Sequence, residues 1–306
     1  MSALTITDPI LRSFAEEVGA EGPVAVVGSR TRWDVGGVID DSARLLEAPS
    51  GIVAYAASEM TMQVRAGTST AELASELAAH GQRTALPERG GSVGGAIAVG
   101  ENPVDIMARG RLRDAVLQVR YVSAEGELVT GGGPVVKNVT GYNLPKLMTG
   151  SLGTLGLLVE FVLRTNPVPA ASRWLAAEGI DPTAALGSIY RPANLLYDGD
   201  TTWVHLEGHA SDIEAESRVL ADLGGFAEVE GPPSLPAHRW SLSAAGVVEL
   251  PATVPGAVVA IGSGLAWCDH PQPARIESPE VAALSQRVKA NFDPTGRLNP
   301  GRTVGH

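Results

Sequence analysis

The sequence contains a single cysteine, Cys268, and it has few aromatic residues and no long apolar run. One cysteine excludes an intramolecular disulfide, a CxxC redox pair and a cysteine-ligated iron–sulfur cluster, so Cys268 is interpreted as a small core residue. The longest strongly apolar run, GLLVEFVL (156–163), is far shorter than the roughly 18 residues that span a bilayer. The start, MSALTITDPILRSF, lacks a basic segment followed by an apolar one, which predicts no signal peptide and a cytoplasmic protein.

Composition and charge narrow the classes of partner. The chain has 306 residues, 44% of them hydrophobic, which indicates a soluble globular protein with one large domain or two ordinary ones. Its formal net charge of −11 argues against nucleic acid as a partner, because affinity for phosphate backbones comes from clustered Lys and Arg. The only lysines are Lys137, Lys146 and Lys289, and the first of them lies inside a glycine-rich segment.

The pattern of strands and helices changes near residue 168. Before it, a capping box at Ser69–Glu72 opens a helix, and the tetrapeptide Asn166-Pro167-Val168-Pro169 ends the last strand. The predicted strands of this first region are 23–27, 61–65, 114–122, 127–130 and 156–163.

After residue 169 the predicted order is β-α-β-β-α-β, which is typical of a ferredoxin-like module. Its segments are RWLAA, a helix near 182–190, NLLYD, TTWVHLEG, a helix near 211–223 and FAEVE. A later helix opens at Ser278-Pro279-Glu280 and leads to NFDPTGRLNPGR. The predicted divisions of the chain are 1–168, 169–275 and 276–306.

Two segments are dense in glycine: PERGGSVGGAIAVGENP (87–103) and TGGGPVVKNVTGYNLPKLMTGSLGTLG (130–156). Neither contains a Rossmann fingerprint or a P-loop. Both could present backbone N–H groups to a pyrophosphate, and the alternative is that glycine serves tight turns and close sheet packing. Two such segments, together with Gly28 after the first strand, favour a bound dinucleotide.

The motifs, taken in order, resemble those of a known family. They are VVGSRT (26–31), SVGGAIAVG (92–100), RLRDAVLQVRYVSAEGELV (111–129), VVKNVTGYNLPKLMTGSLGTLGLL (135–158) and DPTGRLNPGR (293–302). This series resembles the FAD-binding PCMH-type flavoproteins of the vanillyl-alcohol oxidase fold, and among them the FAD-binding subunits of glycolate oxidase. The resemblance covers residues from about 23 to 168 and the C-terminal dozen, whereas 170–275 match only in general plan.

The resemblance implies an α+β fold in three parts. Residues 1–168 would form a PCMH-type FAD-binding domain of two α+β subdomains. Residues 169–275 would form a small ferredoxin-like βαββαβ cap that serves as substrate domain, and 276–306 would return to the FAD domain. The first loop, GSRT, has no histidine, which implies that FAD is bound non-covalently.

The resemblance also implies which residues lie along the cofactor. The loop after the first strand would bind the FAD pyrophosphate, the glycine-rich segments would follow the flavin, and an asparagine near the chain's end would reach the flavin region. These cofactor-binding residues are Gly28, Ser29, Arg30, Thr31, Gly91, Ser92, Gly94, Gly95, Ala98, Val99, Gly100, Lys137, Asn138, Gly141, Gly153, Thr154, Gly156 and Asn299.

The sequence assigns no catalytic residue and no metal site. Oxidation of a 2-hydroxy acid needs a base, a cation for the carboxylate and a hydride acceptor. Full-length relatives that resemble D-2-hydroxyglutarate or D-lactate dehydrogenases hold a metal with histidines and a carboxylate of the cap. In this chain the segment HLEGH (205–209) has Leu206 at the position where the metal-binding motif H-E-x-x-H needs Glu. His205 is interpreted as a strand-face residue and His209 as a solvated helix entry.

Three arginines and one tryptophan lie in or near the predicted cofactor loops. Arg30, Arg32 and Arg89 could pair with phosphate or a substrate carboxylate, with solvation at the surface an equal alternative for Arg32. Trp33 could cover the flavin or simply pack against the protein.

The leading interpretation is an FAD-binding subunit of a glycolate oxidase-like 2-hydroxyacid dehydrogenase complex, carrying electrons from oxidation of glycolate or D-lactate. The resemblance implies a second flavoprotein subunit and an iron–sulfur subunit as partners, and membrane association only through them. A self-sufficient FAD-dependent D-2-hydroxyacid dehydrogenase and a scaffold that has lost FAD remain alternatives. The FAD subunit of molybdenum hydroxylases shares the broad fold, but DPTGRLNPGR suits the glycolate oxidase branch better.

Overall fold

The structure is a computed structural model, and it describes residues 8–133, 143–243, 245–273 and 278–303. The chain divides into two compact units, each discontinuous in sequence. The first unit comprises Met1–Pro103, Arg111–Pro167 and Arg275–His306, and the second comprises Val104–Gly110 and Val168–Ala274.

Both units contain helices and strands. The α-helices of the described residues are α1 (Pro9–Val18), α2 (Thr70–Ala79), α3 (Val93–Val99), α4 (Ile106–Arg109), α5 (Leu112–Ala115), α6 (Leu144–Met148), α7 (Pro182–Ser188), α8 (Ala210–Leu223), α9 (Leu250–Thr253) and α10 (Pro279–Phe292). The strands are β1 (Val24–Val27), β2 (Arg44–Glu47), β3 (Ile52–Ala56), β4 (Thr61–Arg65), β5 (Gln82–Thr84), β6 (Val116–Val122), β7 (Leu128–Gly132), β8 (Leu157–Pro167), β9 (Ala171–Glu178), β10 (Asn194–Tyr197), β11 (Thr201–Gly208), β12 (Ala227–Val229), β13 (His238–Ser241), β14 (Val258–Ala260) and β15 (Leu265–Cys268).

The first unit contains two sheets. Strands β1 and β2 form a parallel pair, and β3-β4-β8-β6-β7 form the backbone of an antiparallel six-stranded sheet in which β5 also pairs with β8. β8 is the central strand, and all of its residues from Leu157 to Leu163 are buried, as expected for a strand covered on both faces. One buried cluster, which includes Met62, Leu73 and Phe161, packs α2 and α3 against this sheet.

Helix α1 was not predicted, although its signals are in the sequence. Asp8 caps it by accepting a hydrogen bond from the N–H of Ile10 at 2.9 Å, and Pro9 occupies its first turn. Leu11 and Phe14 belong to its buried face, which packs beside β1 in a second cluster of this unit.

The second unit is built on a seven-stranded antiparallel sheet in the order β12-β9-β11-β10-β14-β15-β13. The first four strands, with α7 and α8, follow the order β-α-β-β-α-β along the chain and the order 4-1-3-2 across the sheet, which is the ferredoxin-like arrangement. The mixed α+β class is therefore confirmed. The sheet's two faces bury separate clusters, one around Leu195 and Val204, the other around Leu196 and Trp267.

Strand β8 is longer than the sequence pattern predicts. It continues through Asn166 and Pro167, because β5 pairs with its last three residues and keeps the ladder going. The proline causes no break there, since it stands at the final position of the strand.

Candidate functional site

The turn after β1 begins the candidate site in the first unit. The chain leaves the β1–β2 pair at Gly28, whose missing side chain makes room for the hydroxyl of Ser92; a Cβ at this glycine would collide with that hydroxyl. Arg30 then adopts a left-handed conformation, with φ of 59°. The loop therefore folds back over the N-terminal end of α3, where Ser92 caps the helix.

A second turn lies against the other end of α3. The backbone N–H of Gly150 donates to the carbonyl of Ile97 at 2.9 Å, and that of Leu152 donates to the carbonyl of Ala98 at 2.8 Å. Gly100 caps α3 in a left-handed conformation with φ of 72°. These bonds fix the turn of the GSLG sequence beside the helix.

The C-terminal segment closes the floor of the site. Asn299 donates from its backbone N–H to the carbonyl of Val24 at 2.8 Å, and its side-chain amide accepts from the N–H of Val26 at 3.3 Å. The same amide donates to the carbonyl of Gly153 at 2.8 Å. Because Asn299 is buried and joins β1 to the GSLG turn, it acts as a clamp between distant parts of the chain.

These three segments border two adjoining grooves that contain about 520 and 410 Å³ of space outside the protein, part of it open to solvent. Residues that line both are Val26, Gly28, Ser92, Gly95, Ala98, Leu152 and Asn299. Shared lining along one wall indicates a continuous furrow suited to an elongated ligand.

The larger groove is positively charged. Within the described part of the chain, its lining includes Arg30, Arg32 and Arg302 but no carboxylate side chain. Trp33 also lines it, with the guanidinium of Arg30 5.3 Å and that of Arg302 5.0 Å from the ring centre, as in cation–π contacts.

Arg302 ties the C-terminal segment to the loop after β1. Its guanidinium donates to the backbone carbonyls of Val35 and Gly37. Burial lowers the pKa of Arg302 from its usual value and the nearby Asp34 raises it, but a guanidinium ionises far above neutral pH and stays charged.

Arg32 is buried, so its alternative interpretation as a solvated surface residue is wrong. Its Nε forms an ion pair with Glu101, and its Nη1 donates to the carbonyl of Gly90 at 2.7 Å and to the hydroxyl of Thr31 at 3.0 Å. Its Nη2 is buried with no hydrogen-bond partner among the residues that the structure describes. An unsatisfied cationic donor beside a groove with this lining fits an anionic ligand such as the diphosphate of FAD.

The structure brings most of the predicted cofactor residues together. Those that line the grooves are Gly28, Ser29, Arg30, Thr31, Ser92, Gly94, Gly95, Ala98, Val99, Gly153 and Asn299. Gly91 packs against Thr31 and Arg32 at the edge of the site. Lys137, Asn138 and Gly141 lie outside the described residues.

Besides Gly91, three described residues of the predicted set do not line these two grooves. Gly100 caps α3, and the hydroxyl of Thr154 donates to the carbonyl of Ser151 at 2.7 Å. Gly156 lies beneath the ring of Tyr121, which leaves no space for a Cβ. Local packing accounts for these three positions without a ligand.

Close packing also explains glycines that do face the grooves. A Cβ on Gly94 would lie 2.9 Å from the carbonyl oxygen of Ala66, and one on Gly153 would lie 2.5 Å from the side-chain amide of Asn299. Much of the glycine density therefore serves the contacts between α3, the sheet and the GSLG turn, and these contacts shape the grooves.

Sequence reasoning missed several residues that line the site, among them Leu152 and Arg302. Leu152 lines both grooves in a left-handed conformation, with φ of 54°, and Arg302 lines the larger one. The basic end of the C-terminal motif was visible in the sequence for Arg302, but nothing there reveals its contacts with Val35 and Gly37.

A cluster of polar side chains lies on one face of the sheet in the second unit. The Nε2 of His205 is 2.8 Å from the hydroxyl of Ser172 and 3.7 Å from a carboxylate oxygen of Glu207, and its ring stacks on Trp174 with centres 4.4 Å apart. His209 stands at the N-cap of α8 instead. The two histidines of HLEGH thus occupy a strand and a helix start, and the described residues hold no group of three or more His, Cys, Asp or Glu that could bind a metal.

Among the described residues, no helix is both long and apolar enough to cross a membrane.

Comparison with protein families and curated proteins identifies relatives of this chain. Residues 12–132 match the FAD binding domain family. The chain is 28% identical to glycolate oxidase subunit GlcE of Escherichia coli over 96% of both proteins. It is also 31% identical to glycolate oxidase subunit GlcD of Bacillus subtilis, over 39% of this chain and 27% of that protein. A D-lactate dehydrogenase of Anaerostipes hadrus is 31% identical over 48% of this chain and 32% of its own length.

Solved structures share the fold. Alkyldihydroxyacetonephosphate synthase matches with a TM-score of 0.64, 13% identity and coverage of 95% of this chain and 73% of the synthase. At this identity the likeness concerns the fold alone. The chain therefore shares this fold, contains a region that matches the FAD binding domain family, and is similar along nearly its whole length to a glycolate oxidase subunit.

Proposed function

We propose that this chain is the FAD-binding subunit of a glycolate oxidase-like 2-hydroxyacid dehydrogenase complex. In this proposal it carries electrons released by oxidation of glycolate or D-lactate. Its partners are a second flavoprotein subunit and an iron–sulfur subunit, and it is a cytoplasmic protein that meets a membrane only through them.

One observation carries the proposal: the similarity to the GlcE subunit extends over 96% of both chains. The match to the D-lactate dehydrogenase covers only 48% of this chain and 32% of that enzyme. Similarity along a whole subunit, but along only part of the D-lactate dehydrogenase, supports a role as a subunit of a complex.

The residues of the grooves suit the holding of FAD. The proposal assigns the basic end beside Arg30, Arg32 and Arg302 to the diphosphate. It assigns the smaller groove, whose lining includes Gly94, Gly95 and Gly153, to the flat flavin. When bound, FAD supplies an acceptor for the hydride of a 2-hydroxy acid.

The described lining of the two grooves contains no group suited to act as a general base. Among those lining residues there is no Asp, Glu or His, and their basic side chains are arginines, which stay protonated. The grooves can bind and orient a cofactor, but the proton of a substrate hydroxyl needs an acceptor from elsewhere.

The visible spectrum of the purified chain tests the proposal. We expect a yellow protein whose visible flavin absorbance is not bleached by glycolate or D-lactate under anaerobic conditions. Bleaching by either acid in the isolated chain would instead establish a self-sufficient 2-hydroxyacid dehydrogenase. A colourless protein that does not take up added FAD would identify a scaffold.

Purification of the native complex tests the partners. A tagged chain isolated from its own cells should bring with it a second flavoprotein and a subunit that contains iron and sulfide. In that complex, glycolate or D-lactate should bleach the flavin absorbance. Isolation of the tagged chain without an iron–sulfur partner would contradict the complex.

A further inference from the structure

Two nitrogens of the Arg32 guanidinium are hydrogen-bonded to the protein, and the third has no partner among the described residues. Its side chain is only 3% exposed. A guanidinium carries five N–H donors in a rigid plane. Nε uses one on Glu101, and Nη1 directs two at the carbonyl of Gly90 and the hydroxyl of Thr31. Both N–H groups of Nη2 are left over, buried without a partner in the described part of the chain.

The Nη2 of Arg32, unpaired among the described residues, indicates a binding position for a ligand. Buried polar atoms in native proteins are nearly always hydrogen-bonded, and an unsatisfied one is usually explained by a missing ion, water or ligand. Arg32 lies in the lining of the larger groove, where the described residues contribute no carboxylate. An oxyanion in that groove could therefore accept hydrogen bonds from the unused N–H groups of Nη2.

The surroundings of Arg32 fix its orientation before any ligand arrives. Glu101 is itself buried and pairs with Nε, while Arg89 lies 3.8 Å from the other oxygen of that carboxylate. Gly91 has φ of 96°, and a Cβ there would stand 2.6 Å from Nη1 of Arg32. A preformed donor binds its ligand without losing further side-chain entropy.

We propose that Arg32, positioned by Glu101, donates through Nη2 to the diphosphate of FAD. The diphosphate is the anionic part of this cofactor, and arginine is the side chain best matched to phosphate oxygens. The proposal deepens the proposed function by naming the side chain that recognises the cofactor's charge, and it rests on FAD binding in this groove. It does not depend on the identity of the substrate.

Calorimetric titration of the apo-protein with FAD, ADP and adenosine tests this assignment. ADP carries a diphosphate without the flavin, and adenosine carries neither. In the Arg32→Gln variant we expect the dissociation constants for FAD and ADP to rise about 10- to 100-fold, as for loss of a hydrogen bond to a charged group. Binding of adenosine should stay unchanged. Arg113→Gln, the same charge change at an exposed position of α5, should bind all three as the wild type does.

Two further variants protect the test against misfolding. Arg32→Lys keeps the charge but loses the planar fork, and we expect FAD and ADP to bind about 10-fold more weakly. Glu101→Gln removes the group that positions Arg32 and should weaken both by a smaller factor. Circular-dichroism melting of each apo-protein identifies folded variants, and Arg32→Lys decides the matter if Arg32→Gln does not fold.

Unchanged affinity for ADP in a folded Arg32 variant would overturn the proposal. So would weakened FAD binding with normal ADP binding, because Arg32 would then contact another part of FAD. A different result would contradict the proposed function without contradicting the role of Arg32. If the wild type binds FAD and ADP in an Arg32-dependent way, but its complex is not reduced by any 2-hydroxy acid, the diphosphate contact stands without the proposed reaction.

Discussion

The two units place their polar groups in opposite ways. In the first, the grooves are lined by backbone, glycines and arginines, and their geometry depends on Asn299 and Arg302, which come from a distant part of the chain. In the second, Ser172, His205 and Glu207 gather on neighbouring strands of one regular sheet. The first arrangement suits the binding of a large anionic cofactor, and the second offers titratable side chains on a regular sheet surface.

The largest effect should come from filling the groove of the first unit. In Gly28→Val the new side chain would meet Ser92 and occupy space that lines both grooves. We expect the dissociation constant for FAD to rise at least about 100-fold, since an overpacked site costs ~1–3 kcal/mol and the ligand also loses its space. Flavin fluorescence quenching measures it.

A glycine of the second unit serves as the matched control for this change. Gly187 lies in α7, and a Cβ added there would meet no described atom within 4 Å. Gly187→Ala should leave FAD binding unchanged and raise stability slightly, by about 0.5–1 kcal/mol. If Gly28→Val and Gly187→Ala bound FAD with the same affinity, the assignment of FAD binding to the grooves of the first unit would be wrong.

The clamp at Asn299 should give the next largest effect. Asn299→Ala loses the bonds to Val26 and Gly153 and leaves alanine at φ of 46°. Two lost hydrogen bonds and left-handed strain amount to about 2–4 kcal/mol of unfolding free energy in the first unit. Urea unfolding followed by circular dichroism checks this. Asn299→Gly relieves the strain, so it should recover about 1 kcal/mol; no difference between the two variants would refute the strain.

Substitution of Arg302 should have a smaller effect, which is a lower affinity for FAD. Arg302→Gln removes the contacts with the carbonyls of Val35 and Gly37 and with the ring of Trp33. We expect FAD to bind about 10-fold more weakly, which corresponds to ~1.4 kcal/mol. Arg218→Gln on the exposed side of α8 makes the same charge change and should have no effect. Equal affinities of Arg302→Gln and Arg218→Gln for FAD would show that Arg302 does not contribute to binding.

Changes in the second unit should leave FAD binding almost untouched. His205→Gln loses the contact with Ser172 and the stacking on Trp174, at a cost of about 1–2 kcal/mol in stability. Trp174, Trp203, Trp240 and Trp267 lie in this unit and only Trp33 in the other, so tryptophan fluorescence follows its unfolding. A change of more than about twofold in the affinity for FAD would contradict the separation of roles.

The smallest effect concerns pH. Burial raises the pKa of the Cys268 thiol, and Asp269 adds to the shift. Above the ordinary thiol pKa the unfolded chain releases its proton while the folded chain keeps it, so the second unit loses stability as pH rises, by at most about 1.4 kcal/mol per pH unit. Denaturant midpoints between about pH 8 and 10 should therefore fall less steeply in Cys268→Ala than in the wild type. Parallel slopes would show that this thiol does not contribute.

Local patterns in the sequence predicted much of the fold because they depend on neighbouring residues. β4 and β11 have the predicted bounds of 61–65 and 201–208, and α10 begins at the Ser278 cap. Strand β2 was missed because three of its four residues are exposed and it shows no alternation.

The site was only partly predictable, because its decisive contacts join residues far apart in sequence. Motifs located Gly28 and Ser92, but the acidic partner of Arg32 stands 69 positions away. Similarly, Asn299 contacts Val26 across 273 positions. A single sequence shows which residue types are present, and it does not show which of these distant groups meet.

The clamp made by Asn299 also sets an order of events during synthesis. β1 leaves the ribosome early, yet its partner Asn299 is made only after the whole second unit has been translated. Contacts at such sequence separation form slowly, because the entropy cost of closing a long loop comes before the contacts can stabilise the structure. The groove is therefore finished after the second unit already exists, and insertion of FAD is an event of the nearly complete chain, so an arrested nascent chain that ends before residue 299 should hold no flavin.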